Sequence, residues 1–168
     1  MKIKATVKGI DALFSFFTER EQLPYSSPHN LIAQINDDSC VAACARMILA
    51  DCGIDAPESY LAAALETRSG ALLSKLPLVL SDFGAPLNYE WRKKLSLADL
   101  SKALQYNRAV VSLMRGNAKF GHAVIADDIV EEKIRLCDPL PIGQGKSYAV
   151  SVENFSDVWL KSGVIYVK

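Results

Sequence analysis

Histidine is scarce in this chain: only His29 and His122 occur among 168 residues. Chemistry that needs an imidazole base therefore has two candidates, and a site built from several imidazoles has none. An excess of one charge is also lacking. The 19 Lys and Arg balance the 19 Asp and Glu, so the formal net charge is zero. That is not the basic footprint of a nucleic-acid binder. No apolar run reaches the ~18 residues that mark a membrane span. The start, MKIKATVKGIDALFSFFTER, lacks the apolar stretch and small-residue cleavage site of a secretory signal, so a cytoplasmic chain is expected. Cysteine is limited to Cys40, Cys44, Cys52 and Cys137. A domain of this size holds a core without staples, and cytosolic thiols stay reduced, so no disulfide framework is expected. The run C-x3-C-x7-C does not have zinc-site spacing. No metal and no cofactor are expected.

What is present suits one soluble domain with a real core: half the residues are apolar and 23% are charged. Residues 2 to 8 alternate and read as a short strand. Residues 10 to 20 read as a helix, and QLPYSSPHN as a loop. Together, residues 1–33 read as an N-terminal extension packed on a main body that spans 34–168. DDSCVAACARMILADCG is the clearest helix. Asp37, Asp38 and Ser39 are its capping candidates and Gly53 its stop. Further helices are expected over 58–67, over 72–82 with Pro77 inside, and from Ser96 through SLADLSKAL. From residue 108 the pattern changes to strands: AVVSLM, then GHAVIADDI and KIRLCDP around a charged turn, then SYAVSV and GVIYVK, with NFSDVW as a helical turn. Helices first and an antiparallel sheet after them make an α+β layout.

Cys40 is the candidate nucleophile. A free cysteine is ordinarily a small buried hydrophobe. Cys40 differs because it opens a helix behind three capping-type residues, where unpaired N–H groups and the helix dipole favour a thiolate. Cys44 lies a turn further in, Cys52 at the unfavourable end, and Cys137 in an apolar strand. Gln34, six residues before Cys40, can bring an amide to an oxyanion beside the Cys40 N–H. His29 sits in a polar loop, which leaves His122, at the head of GHAVIA, as the base. Asp138 in KIRLCDP lies at the far end of the expected hairpin partner. In an antiparallel hairpin the start of one strand meets the end of the other, so this carboxylate can hold the imidazole in place.

The ordered set of Gln34, Cys40, His122 and Asp138 resembles the papain-like cysteine peptidases. More narrowly it resembles the bacteriocin-processing family, whose members cut leader peptides after a double glycine. The stretches that carry the resemblance are QINDDSCVAACARMIL, GALLSKLPLVLSDFGAPL, GHAVIADDIVEEKIRLCDPL and VENFSDVW with GVIYVK, about residues 34 to 168. It implies a papain-like fold, with Gln34 in the oxyanion hole, Cys40 as nucleophile, His122 as base and Asp138 as orienting acid. It implies a protein or peptide substrate. Ser39-Cys40-Val41 stands where the family usually has Asp-Cys-Gly, and no transporter segment follows, so double-glycine specificity is not carried over. Stand-alone papain-like domains with such extensions also resemble interbacterial effectors, which implies export into a target cell without a signal peptide and a cognate immunity protein as partner.

Other chemistries use the same groups. Deamidases, transglutaminases and acyltransferases also pass through a cysteine thioester. A peptide-binding module that keeps the fold without the reaction generally lacks the nucleophile, whereas Cys40, His122 and Asp138 are all here. Specificity is expected from loops at 66–72, 89–95 and 115–121. Arg115, Asn117 and Lys119 are candidates to line the cleft or to sit in an exposed polar loop, and Trp91 and Trp159 are expected in core or rim.

Overall fold

The computed structural model describes residues 2–3, 16–114 and 121–168. Most of the expected 2–8 strand and 10–20 helix, together with Arg115, Asn117 and Lys119, lies outside the described residues. Residues 16 to 20 are not helical. They lead into a turn in which the Glu21 and Gln22 N–H groups donate to the Thr18 carbonyl at 3.0 and 3.1 Å.

Two short strands come first, β1 (Lys2–Ile3) and β2 (Leu23–Pro24). Helix α1 (Cys40–Asp51) follows. It is buried on nearly every side, which its run of Ala, Cys and Val permits, since a helix apolar all round belongs inside. It stops at Gly53, whose φ of 77° suits a residue without Cβ. Helix α2 (Glu58–Ala64) is next. The expected helix over 72–82 divides into β3 (Ala71–Leu72), a 3-10 turn (Leu73–Lys75) and α3 (Leu76–Asp82). Pro77 explains the division: it has no N–H to give, so it falls in the first turn of α3 rather than in a helix interior.

Residues 89 to 92, expected as loop, form strand β4 (Tyr89–Arg92). Then come α4 (Leu97–Leu104), capped by Ser96, β5 (Ala109–Leu113), β6 (His122–Val130), β7 (Lys133–Asp138), β8 (Lys146–Ser151), α5 (Val152–Val158) and β9 (Trp159–Tyr166). One antiparallel sheet runs in the order β2-β8-β7-β6-β5-β9-β4, and β1 pairs separately with β3. The layout is α+β, as the sequence predicts, with β4 sheltered at one edge by pairing with β9.

Strand alternation sorts the core onto the two faces of the sheet. Val110, Ala123, Ile125, Cys137 and Val164 pack with α1, α2 and α3. Val111, Leu113, Val124, Ala126, Leu136 and Tyr148 pack with α4 and α5. Gly163 is required where β9 crosses β5: a Cβ there would lie 2.8 Å from the Val110 carbonyl oxygen. Trp159 is buried, stacks on Phe155 and donates its indole N–H to the Ser162 carbonyl; Trp91 is half-buried at the rim. Among the described residues no helix is long and apolar enough to cross a membrane.

Candidate active site

Cys40 is the first residue of α1, so its side chain leaves the helix at the end that carries unpaired N–H groups. The expected cap does not form. Ser39 occupies the N-cap position, but its hydroxyl turns back, donating to the Asn36 carbonyl and accepting from the Asn36 N–H, each at 3.0 Å. No acidic residue sits in the first turn. The reason is local: the tight 36–39 turn uses the Ser39 hydroxyl to close itself, leaving the helix start without a side-chain cap.

His122 opens β6 and Asp138 closes β7, and the two meet at 2.6 Å, ring Nε2 to carboxylate Oδ1. The hairpin alone does not bring this about. Near its turn, Val130 pairs with Lys133, Ile129 with Ile134 and Asp128 with Arg135. Continued unchanged, that register would put Asp138 across from Ile125, on the face opposite to His122. A bulge between Ala126 and Asp128 shifts the pairing by one residue, so Ala126 faces Leu136 and Ile125 faces Cys137. A shift of one residue exchanges the faces of a strand. The extra residue therefore sets Asp138 on the same face as His122.

Both oxygens of the Asp138 carboxylate are engaged by protein donors. Besides the imidazole, its Oδ1 accepts from the Leu140 N–H at 2.9 Å, and its Oδ2 accepts from the Tyr148 hydroxyl at 2.7 Å. His122, Asp138 and Cys40 are all wholly buried. Burial works against a charged imidazole, yet the Asp138 charge and hydrogen bond, followed by the hydrogen bond and charge of Cys40, outweigh it and hold the His122 pKa up at about 10. With Nε2 committed to Asp138, Nδ1 is the nitrogen left to exchange a proton with the thiol, and among the described residues it forms no hydrogen bond to nitrogen or oxygen. The other cysteines have no such partner. Burial raises the Cys44 and Cys52 thiols, and burial with the Asp127 charge raises Cys137 to about 11.

Gln34 is wholly buried and held from both sides. Its N–H donates to the Pro139 carbonyl and its carbonyl accepts from the Gly143 N–H, both at 3.0 Å, so the loop after Asp138 clamps its backbone. Its side-chain Nε2 donates to the Asn36 carbonyl at 2.7 Å, the same carbonyl that Ser39 engages. One amide hydrogen is thus used in the turn before Cys40 and a second remains. Oε1 has no hydrogen-bond partner among the described residues. His29 is exposed and stands apart from this group.

Three features were not anticipated from sequence. Tyr148 lies in SYAVSV, where alternation marks it only as an inward residue. Phe16 stacks on His122, ring centroids 5.1 Å apart and 19° from parallel; the FSFF run gives no sign of this. The third is an ion cluster around the buried pair Arg108 and Asp127. Arg108 bonds Asp127 at 2.7 Å and Asp51, the last residue of α1, at 2.8 Å. Asp127 also accepts from the Tyr25 and Ser27 hydroxyls, each at 2.6 Å. Burial raises the Asp127 carboxyl, but Arg108 and the two hydroxyls outweigh it and lower its pKa. An aspartate inside the apolar run HAVIADDIV was the available signal, because a buried charge needs a partner.

Comparison with known proteins supplies a family and a fold. The model of the peptidase C39 family matches residues 29–168. A comparison with curated proteins finds no match. Among solved structures, the peptidase domain of Streptococcus ComA, a bifunctional ABC transporter involved in quorum sensing, is similar with a TM-score of 0.68 and 16% identity, covering 83% of this chain and 98% of that one. A double-glycine motif protease from an AMS/PCAT transporter, in complex with the leader peptide, gives 0.66 and 15%, covering 86% and 96%. A C39-like peptidase from Bacillus anthracis gives 0.64 and 16%, covering 84% and 95%. At these identities the likeness is one of fold.

Proposed function

The chain belongs to the peptidase C39 family of cysteine peptidases, and on that footing we propose that it hydrolyses a peptide bond with Cys40 as nucleophile, His122 as base, Asp138 as orienting acid and Gln34 in the oxyanion hole. The observation that carries the assignment is the buried 2.6 Å bond from His122 to Asp138 beside a cysteine at a helix start. Asp138 fixes the imidazole so that Nδ1 holds the proton given up by Cys40, in keeping with the raised His122 pKa. The sulfur attacks the substrate carbonyl, and the developing oxyanion is met by the Cys40 N–H and the unused amide hydrogen of Gln34. His122 returns its proton to the leaving amine, giving a thioester. Water, deprotonated by the same imidazole, then releases the acid and restores the thiol.

The substrate proposed is an extended peptide segment of the leader type, a reading supported by the leader-peptide complex of the transporter-borne relative. The test is mass spectrometry of a bacterial lysate incubated with the wild-type chain or with Cys40→Ala. New peptide termini that arise only with wild type are the expected result. Conversion of Gln to Glu without new termini would reassign the chain to deamidation. Equal cleavage by Cys40→Ala would remove Cys40 from the mechanism.

A further inference from the structure

The proposed nucleophile and its base have no accessible surface. A thiol and an imidazole that solvent cannot touch are also out of reach of a peptide carbonyl. Something lying over them must move before any substrate binds. The described residue stacked on the imidazole is Phe16, itself only half-buried, so one face of the His122 ring is covered by a side chain that reaches the surface. Phe17 is buried beside it and packs edge-on against Tyr148, ring centroids 5.9 Å apart, and Tyr148 holds Asp138. Two consecutive aromatic residues thus roof the imidazole and the support of its carboxylate. Both lie ahead of residue 29, outside the residues that the family model matches.

The attachment of this segment is uneven. At 25–30 it is anchored firmly: the Tyr25 and Ser27 hydroxyls bond buried Asp127, and the Asn30 carbonyl accepts from Arg108. Upstream of that anchor the hold is apolar and short-stranded: Phe17 is buried in the core, and β1 pairs over two residues with β3. Strand β2 contributes two exposed residues at the sheet edge, Leu23 against Ala149 and Pro24 against Tyr148. The Thr18 to Gln22 turn closes mostly on itself, with the Gln22 amide donating to the Phe17 carbonyl at 2.8 Å. Short edge strands open at low free energy. We infer that residues 16–24 form a strap that folds over the catalytic pair and holds the peptidase latent, lifting away between β1 and the 25–30 anchor when it is displaced. The inference rests on the proposed roles of Cys40 and His122 and adds their regulation.

The four cysteines make the test internally controlled. The full chain and its Phe16→Ala variant are treated with iodoacetamide, and labelling rates at Cys40, Cys44, Cys52 and Cys137 are read separately by peptide mapping. A strap that covers the site predicts a Cys40 rate raised roughly tenfold or more in the variant, the factor reporting the opening equilibrium. Cys44 and Cys137, buried in the core, should stay as slow as in wild type. An unchanged or slower Cys40 rate overturns the strap. Should all four cysteines label fast, the variant has unfolded, and Phe16→Leu, which keeps an apolar contact without the ring, decides by the same comparison. Repeating the labelling at pH 6, with and without His122→Ala, separates the two readings. An unassisted thiol is almost wholly protonated there. Fast labelling of Phe16→Ala at pH 6 that disappears with His122→Ala supports the pair and the strap together. A Cys40 that Phe16→Ala uncovers but that reacts only at high pH leaves the strap standing and overturns the base. A His122-dependent reaction at pH 6 that is equal with and without Phe16 does the reverse.

Discussion

Tyr148 donates its hydroxyl to Asp138 Oδ2 at 2.7 Å, from the strand next to the one that ends in Asp138. Leu136 pairs directly with Tyr148, and Asp138 lies two residues further along the same face. The phenol therefore reaches the carboxylate diagonally and keeps its second oxygen occupied while the first holds His122. Tyr148→Phe removes one oxygen and keeps the ring. The expected outcome is a cleavage rate lower by roughly tenfold, because the carboxylate that orients the imidazole can now rotate. Stability should fall by about 1.5–3 kcal/mol, as for loss of a hydrogen bond to a charged group. Rate assays and urea unfolding check the two effects.

Gln34→Ala should lower kcat by about 10²- to 10³-fold, the usual loss when one oxyanion donor is removed. Labelling of Cys40 by a small electrophile should change little, because thiolate formation does not use the amide. Parallel turnover and labelling measurements check this. Equal losses in both would instead mark Gln34 as a support of the 34–39 turn.

Asp127→Ala should destabilise the fold by about 3–5 kcal/mol, because it leaves Arg108 buried with half its ion pairing gone. Arg108 joins β6 to the end of α1, and Asp127 receives Tyr25 and Ser27. The same substitution should therefore loosen the 25–30 anchor, which hydrogen exchange on those residues would show as faster amide exchange.

Stability should depend on pH through His122. Its folded pKa, about 10, lies above the ordinary 6.5. A group raised on folding contributes fully while protonated in both states, so the contribution is complete below about pH 6.5 and is lost as pH rises towards 10. The free energy of unfolding should therefore fall across that window. Unfolding curves of His122→Ala should fall less steeply there, and the difference between the two chains isolates the histidine from the cysteines that titrate nearby.

Much of this was legible in the residues. The α1 pattern, the β6–β7 hairpin and the order of helices before sheet follow from local spacing and turn chemistry, which act over a few residues. The edge strand β4 was not legible, because YEWR is too short to declare itself and exists only through its pairing with β9. The Ser39 cap failed for a related reason: whether a hydroxyl caps a helix or closes the turn before it depends on where the preceding chain arrives.

The sequence by itself determined which groups could do chemistry: two histidines, one cysteine at a helix start, and an aspartate at the far end of a hairpin. Only the tertiary structure decided their relations. The bulge at 126–128 selects the face on which Asp138 meets His122, Tyr148 comes from a third strand, and Phe16 reaches His122 from more than a hundred residues away. Register and long-range contact are settled by pairing and burial summed over the whole sheet, and no local stretch of sequence carries that sum.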